Sequence, residues 1–568
     1  MKNVKLNILC KGYEYKINTK NIAENIQILS FEFIRSSSPG NIKIEWTIPS
    51  YNIFFRWVPS LESNKSIPPD WSSSVNYSFT DFMPLCSFIG TENNNIFTFA
   101  CNEIILPVKL KSGIVEEECS IRCSLSIDLK NFQHDSYNCE IYFDSSQNIY
   151  AEVIRRTALY LSKTNANQKI KSESFDFVYS TWYSFHQNIN RKKLENSALK
   201  FPEYKLRTMI VDDGWQTSDN KRGYAFCGDW LPEKSKFPDF SEHIMSIREQ
   251  GINYLLWFAP PLVGINSSAY KKFKDMILYE QKKGTVFVLD PRFPEVRKYL
   301  IDKLHVAMNK WGVSGFKLDF IDSFATPVNW QDYPDNRRDF DCVFTAVQVL
   351  LKQIRSTFPE AIIEFRQKYI APILLGYGDI IRAADCPGDI LSNRIRTIEL
   401  RLCCPNCAVH SDMLKWHFDL STESAALQLL NVFFAVPQIS VDLTKLPEAH
   451  QKMLSFYLTF IDNHSETLFW GKLLPLHPEL NYPQVIARGE GEIISVIYQT
   501  AQIVQQRPGI ENFILNACDC NGIYVEFMDK GEADIFDCYG NLHEKISIVP
   551  GIQRVAIPIA GILHFESK

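Results

Sequence analysis

From Phe175 to about Val441 the chain repeats one pattern, a short apolar run followed by a longer segment with apolar residues at helical spacing. This repeat constrains the fold more than any other feature. Strands that alternate with helices are returned each time to the same edge, so they pair in parallel. The runs with strand character are Phe175–Tyr183, Met209–Asp213, Tyr254–Ala259, Val286–Leu289, Gly315–Phe320, Ala361–Arg366 and Ile380–Asp385, with a last one or two within Leu430–Val441. Pro294–Trp311 and Arg338–Thr357 read as two of the helices between them. Roughly eight repeats fit a (β/α)8 TIM barrel better than an open doubly wound sheet, which has five or six strands and a Gly-rich phosphate turn. No such turn follows any of the runs.

The flanks have a different texture. Before residue 165, short alternating runs such as Asn95–Cys101, Ile104–Leu110 and Cys119–Leu129 are separated by Gly, Asn, Ser and Pro clusters, the pattern of an antiparallel sandwich. A helical stretch follows at Ala151–Ser162. After about 475 the short-strand texture returns in Ile493–Tyr498, Gly522–Met528, Ile546–Ile548 and Gln553–Ile557. With 568 residues the chain exceeds what one hydrophobic core serves. The expected division is an N-terminal β-sandwich at 1–165, a catalytic (β/α)8 barrel at 166–472 and a small C-terminal antiparallel β-domain at 473–568.

Charge excludes some partners. Lys and Arg number 60 against 65 Asp and Glu, and the basic residues are scattered, so neither a nucleic acid nor an anionic membrane is expected. The 15 cysteines cannot all pair within the chain, and Met1–Ile8 lacks the apolar run of an export signal, so a reducing, cytoplasmic setting is expected. Cys404 and Cys407 have CxxC spacing near His410, but no second such pair accompanies them, and neither a metal nor a cofactor is expected. His410 and Asp412 read as hydrogen-bonding residues of the barrel rim. The cluster Trp182–His186 reads equally as packing or as an aromatic platform for a sugar.

In a TIM barrel the side chains at the carboxyl ends of the strands form the site. Here those ends carry Asp212, Asp213, Trp257, Lys317, Asp319, Arg366, Arg382 and Asp385. Each has a bland reading. Asp212 and Asp213 are equally a turn and helix N-cap pair, Asp319 could pair with Lys317 on one strand face, and Arg382 with Asp385 could be a structural ion pair. Together, so many charges on one rim point to chemistry. Two carboxylates facing each other across a sugar ring are what glycoside cleavage needs, one ionised beside a cation and one raised by an apolar setting. Asp319 beside Lys317 suits the first role; Asp385 among Ala383, Ala384, Cys386 and Pro387 suits the second.

At these segments the chain resembles glycoside hydrolase family 36, the α-galactosidase and raffinose synthase family of clan D. The resemblance rests on VDDGWQ at 211–216, GDWLPEKSKFP at 228–238, LLWFAPPLVG at 255–264, VLDPRFPEVRKYL at 288–300, GFKLDFID at 315–322, RAADCPGDILSNRIRTIELR at 382–401 and VHSDMLKWH at 409–417. It implies an exo-acting retaining enzyme for a terminal α-linked galactose or a close relative, with an oligosaccharide or glycoside as partner. Transglycosylation, an α-N-acetylgalactosaminidase and a non-catalytic sugar-binding protein stand as alternatives, and homo-oligomerisation is compatible with each. The implied nucleophile is Asp319 and the implied general acid/base Asp385. Asp212, Asp213, Trp257, Lys317 and Arg382 would bind substrate. The chain departs from the family's pattern at Ala259-Pro260-Pro261, where carboxylates are common, and at Glu364–Tyr369, where a Cys- or Ser-containing Gly-rich turn is common. That second departure implies that Arg366 meets an anionic or otherwise unusual substituent of the sugar rather than a plain 2-hydroxyl.

Overall fold

The computed structural model describes residues 4–59, 62–130, 132–162, 170–327, 329–366 and 370–565. The chain forms two compact units, one from Met1–Lys169 with Gln367–Tyr377 and Leu402–Asn406, the other from Ile170–Arg366, Gly378–Arg401 and Cys407–Lys568. Among the described residues no helix is long and apolar enough to cross a membrane.

The first unit contains two antiparallel sheets. One runs in the order Leu6–Cys10, Asn41–Pro49, Ser120–Asp128, Val108–Val115, Ser74–Tyr77; the other runs Tyr13–Ala23, Ile26–Arg35, Ser136–Asp144, Asn95–Cys101, Leu85–Ile89, Phe55–Trp57. Trp46 of the first sheet meets Phe99 of the second edge-on at 4.8 Å and Phe143 at 5.0 Å. Alternating inward residues of both sheets thus fill one sandwich core, as the period-two pattern demands.

The second unit is built on eight parallel strands: β1 (Phe177–Ser180), β2 (Leu206–Val211), β3 (Asn253–Phe258), β4 (Gly315–Leu318), β5 (Ile362–Arg366), β6 (Ile380–Arg382), β7 (Ala408–His410) and β8 (Gln438–Ile439). Val178 of β1 pairs with Gln438 of β8. The ring closes where the Val436 amide donates to Val409 O at 2.9 Å and the Ser411 amide to Val436 O at 3.0 Å. Gly315 is required where β4 meets β5, because a Cβ there would lie 2.0 Å from Ile362 O.

Successive inward positions on a strand are two residues apart. Val178, Ile210, Leu255, Ile362, Ile380 and Ala408 form one apolar cluster. Two residues further along the same strands stand Ser180, Asp212, Trp257, Glu364, Arg382 and His410, with Lys317 two beyond Gly315. One pleat therefore changes the barrel interior from hydrocarbon to charge.

Two sequence expectations differ from this barrel. Val286–Leu289, expected as a barrel strand, lies in a separate antiparallel sheet between Leu262–Gly264 and Ile277–Lys282. Its strand character is real, and an apolar run does not reveal its pairing partner. β3 pairs directly with β4, and the remaining barrel strand is Ala408–His410, whose three residues are too few to stand out by periodicity. Beyond the barrel, a seven-stranded sheet and a three-stranded sheet enclose Val504, Ile514, Val525, Ile535 and Leu563. Most pairs there are antiparallel, but Glu492–Ile497 with Glu511–Asn516 and Ile503–Gln505 with Ile523–Phe527 run parallel.

Candidate active site

The site begins where β2 ends. The Asp212 amide donates to Thr181 Oγ1 at 3.0 Å, and the Asp212 carboxylate forms a buried ion pair with Lys317. Asp213 is clamped by two amides, Gln187 Nε2 donating to its Oδ2 at 2.6 Å and Gln216 Nε2 to its Oδ1 at 2.7 Å. Gly214 makes this approach feasible: its φ is +113°, and a Cβ would lie 2.5 Å from Gln187 Cα. Burial pushes the Asp213 carboxyl up to about 6, against the pull of the two amides and with a further push from Asp212. The N-cap reading of the pair does not hold, since turns follow Asp213 and the next helix, Phe240–Arg248, is capped by Asp239.

Asp319 follows the last residue of β4. Its amide donates to Phe258 O at 2.8 Å, fixing the strand end beside β3. Oδ2 accepts from Trp257 Nε1 at 3.0 Å, and Oδ1 accepts from the Phe320 amide at 2.8 Å and lies 3.2 Å from Arg366 Nε. Phe320 has φ +60°, a left-handed conformation that bulky side chains rarely adopt. It turns the backbone N–H back onto the carboxylate. Burial alone would raise the Asp319 pKa, but Arg366, Lys317 and the Trp257 N–H together hold it down at about 2. The Trp257 ring is itself fixed, its carbonyl accepting from Trp215 Nε1 at 3.0 Å and its face stacked on Tyr224 at 6.2 Å.

Lys317 points at Asp212 rather than pairing with Asp319. Burial opposes its charge, yet Asp212, Asp319 and Glu364 outweigh burial and keep the ammonium protonated. The simple pairing of Lys317 with Asp319 along one strand is thus replaced by a link across strands, with Asp319 feeling the same cation at longer range.

Asp385 does not have the apolar setting expected of it. It is exposed, with Arg382 Nη2 at 2.9 Å from Oδ1 and Arg366 Nη1 at 3.9 Å from Oδ2. Against partial burial, Arg382, Lys317 and Arg366 lower its pKa, while Asp319 pushes the other way. The small apolar neighbours in the sequence do not form its environment; two arginines from β5 and β6 do. Arg382 is buried and also holds Asp412 Oδ1 at 2.6 Å and approaches Glu364 at 3.7 Å. Asp412 Oδ2 accepts from the Cys386 amide at 2.7 Å and from the Tyr183 hydroxyl at 2.9 Å. Asp412 therefore anchors both the arginine and the turn that carries Asp385.

Arg366 joins the two halves. Besides Asp319 and Asp385 it reaches Asp322 at 3.5 Å, and its guanidinium lies 5.2 Å from the Phe320 ring centroid. Gln367, Lys368 and Tyr369, which follow it in the departing segment, lie outside the described residues. All eight residues singled out in the sequence are brought to this one rim. Asp412 makes rim hydrogen bonds of the kind expected of it, and Tyr183 of the Trp182–His186 cluster binds it, whereas Gln187 and Tyr224 are residues of the site that sequence reasoning did not place there. Asp412 had a signal, standing two residues past the inward-facing His410. His410 is structural: its Nε2 is 2.7 Å from Ser174 O, its Nδ1 is 3.2 Å from Gln438 Nε2, and burial lowers its pKa to about 4. Among the described residues no group of three or more His, Cys, Asp or Glu is arranged to hold a metal ion.

Residues 141–471 match the Melibiase family. Alpha-galactosidase C of Emericella nidulans is 26% identical over 162 residues, 25% of this chain and 21% of that protein. Alpha-galactosidase Mel36A of Lactobacillus acidophilus is 26% identical over 166 residues, 28% of this chain and 22% of that protein. The aligned stretch thus spans about a fifth of the length of these curated relatives. Among solved structures, a variant of the GH36 alpha-galactosidase AgaA from Geobacillus stearothermophilus in complex with raffinose superposes with a TM-score of 0.67 at 13% identity, covering 97% of this chain and 81% of that one. The alpha-galactosidase from Lactobacillus brevis gives a TM-score of 0.67 at 12% identity over 99% and 82%. At that identity the likeness is one of fold.

Proposed function

The chain belongs to the Melibiase family, glycoside hydrolase family 36, and from that premise we propose that it is an exo-acting retaining α-galactosidase. The observation that carries this reading is the pair Asp319 and Asp385, one buried and one open, meeting the same Arg366 guanidinium at the carboxyl edge of the barrel. Glycoside cleavage needs two such carboxylates on either side of one sugar ring. The names of the curated relatives and the raffinose bound to the AgaA variant support galactosides as the substrate class.

In this reading Asp319 is the nucleophile. It stays ionised at any ordinary pH, and the Trp257 N–H and Phe320 amide fix its direction of attack on the anomeric carbon. Asp385 donates a proton to the departing glycosidic oxygen and then takes one from the water that releases the sugar from Asp319. In the free protein the two arginines favour the ionised form of Asp385. A sugar ring entering between the carboxylates moves Arg366 aside and excludes water, and both changes favour the proton that the first step consumes. Asp212 and Asp213 accept hydrogen bonds from ring hydroxyls, Trp257 offers an apolar face, and Lys317 holds Asp212 in place through their buried ion pair. Arg382, held by Asp412, sets the position of Asp385.

Replacing Asp319 by Asn tests the assignment. We expect hydrolysis of an aryl α-galactoside to fall by about 10⁴-fold or more with an unchanged circular dichroism spectrum. Undiminished turnover would defeat the reading. Proton NMR of the first sugar released by the unmodified protein should show the α-anomer; release of the β-anomer would overturn retention.

A further inference from the structure

Tyr224, in the loop after β2, takes no part in the cleavage scheme, yet it packs on both residues that hold the nucleophile. Asp319 Oδ2 accepts from Trp257 Nε1 at 3.0 Å, and Oδ1 accepts from the Phe320 amide at 2.8 Å. These donors come from different places, Trp257 from β3 and Phe320 from just beyond β4. Half-buried Tyr224 is stacked on the Trp257 ring, the centroids 6.2 Å apart, and meets the Phe320 ring in a T-shaped contact at 5.1 Å. At both separations aromatic rings attract. The backbone that carries Tyr224 is itself tied on two sides. Gln187 accepts from the Arg222 amide at 2.6 Å and donates to Gly223 O at 3.4 Å. On the other side, the Cys227 amide donates to Tyr224 O at 3.0 Å, the Gly264 amide to Cys227 O at 2.9 Å and the Asn266 amide to Ala225 O at 2.9 Å. Gly264 permits this approach, since a Cβ there would lie 2.2 Å from Ala225 C and 2.4 Å from Tyr224 O.

Each donor has a motion that would spoil its hydrogen bond. A turn of the Trp257 indole about its side-chain torsions swings Nε1 away from Oδ2. Phe320 holds φ +60°, a strained conformation for a bulky residue, and relaxation there carries the N–H off Oδ1. The Tyr224 ring, wedged against both side chains, opposes both motions. From this geometry we infer that Tyr224 is a positioning residue for Asp319. It braces Trp257 and Phe320 against one another, so the loop after β2 sets the direction in which the carboxylate faces the anomeric carbon. The inference rests on the glycosidase reading, which makes Asp319 the nucleophile. A misplacement of about 1 Å at a reacting atom can cost about 10²-fold in rate, so a brace that acts through two other residues is felt in the chemical step.

Steady-state kinetics of Tyr224→Leu, Tyr224→Phe and Gly264→Ala on 4-nitrophenyl and 2,4-dinitrophenyl α-D-galactopyranoside test this. For Tyr224→Leu we expect kcat/KM to fall by about 10- to 100-fold through kcat, with KM changed by less than about threefold. The fall should be the same for both leaving groups, because alignment of the nucleophile does not depend on how much the departing oxygen needs a proton. Tyr224→Phe keeps both ring contacts and should stay within about threefold of the unmodified protein. Gly264→Ala displaces the turn without altering any of the three rings, and it should reproduce the loss seen in Tyr224→Leu. Should Tyr224→Leu fail to fold, as judged by circular dichroism, Gly264→Ala decides, and full activity there overturns the inference. So does a rise in KM at constant kcat, a Tyr224→Phe protein as impaired as Tyr224→Leu, or a loss confined to the 4-nitrophenyl substrate, which would place the damage at Asp385. The two readings fail separately. Turnover by Asp319→Asn removes the glycosidase assignment whatever Tyr224 does, whereas an inactive Asp319→Asn beside a fully active Tyr224→Leu removes the brace alone.

Discussion

The rim of the barrel has two halves built by different means. On the side of β2 to β4 the charges are buried: Asp212, Asp213, Lys317 and Asp319 are each less than 10% exposed and are fixed by amides, a tryptophan and one another. On the side of β5 to β7 the carboxylate proposed as acid/base, Asp385, is exposed, and what lies buried is its support, Arg382 and Asp412. The first half keeps its acids rigid and settles their charge by burial and near neighbours. The second keeps a backing of fixed charge and leaves the acid free to change partners. That division suits a nucleophile that must stay ionised and an acid/base that must gain and lose a proton in every cycle.

Removing the cation of the first half should have the largest effect on the fold. Lys317→Met strands the buried Asp212 carboxylate and costs about 3–5 kcal/mol, by the usual penalty for breaking a buried pair. Urea denaturation measures it. A loss below about 1 kcal/mol would mean that Asp212 is wetter than the structure describes. In the second half the corresponding change acts on catalysis. Asp412→Asn loosens the anchor of Arg382 and of the Cys386 amide, so kcat should fall by about 10²-fold while KM for an aryl α-galactoside changes little. A rise in KM at constant kcat would show that Asp412 serves binding rather than the placement of Asp385.

Arg366 belongs to both halves and tests whether they are coupled. It lowers the pKa of Asp319 and, behind Arg382 and Lys317, of Asp385, so Arg366→Met should move both limbs of the kcat/KM profile to higher pH. Movement of one limb alone would show that the guanidinium serves one carboxylate. Three carboxylates, Asp319, Asp322 and Asp385, already surround Arg366, so its charge is met by acids of this chain.

The same two halves show what was legible in the sequence. The alternating pattern places the barrel, and the buried half of the site can be read from it, because Asp212, Lys317 and Asp319 sit at or next to strand ends where inward and outward residues alternate. The other half was harder to read. Asp385 lies three residues past β6, outside any strand period, so its sequence neighbours said nothing of the arginines that face it. Ala408–His410 was missed because three residues carry no period, and with it the reason that Asp412 points inward. Local pattern reports which face a residue takes; it does not report which distant strand supplies its partner.

The smallest effect concerns the clamp on Asp213. Its pKa in the folded chain is about 6 against 3.8 for the free carboxyl, so the fold holds more protons than the unfolded chain between those values. Stability from this group is therefore greatest below about pH 4 and declines as the pH rises toward 6. Asp319, whose pKa is lowered to about 2, contributes in the opposite sense, losing stability only as the pH falls below 4. The two windows do not overlap. Asp213→Asn removes the titration but keeps one carbonyl acceptor for Gln187 or Gln216. The variant should match the unmodified protein near pH 4, exceed it by about 1 kcal/mol at pH 7 and lose activity, since the ionised acid is what the sugar hydroxyls require. Thermal unfolding at both pH values reads the difference. A variant less stable at pH 7 than at pH 4, relative to the parent, would mean that the two amide donors outweigh burial and that Asp213 is ionised at little cost to the fold.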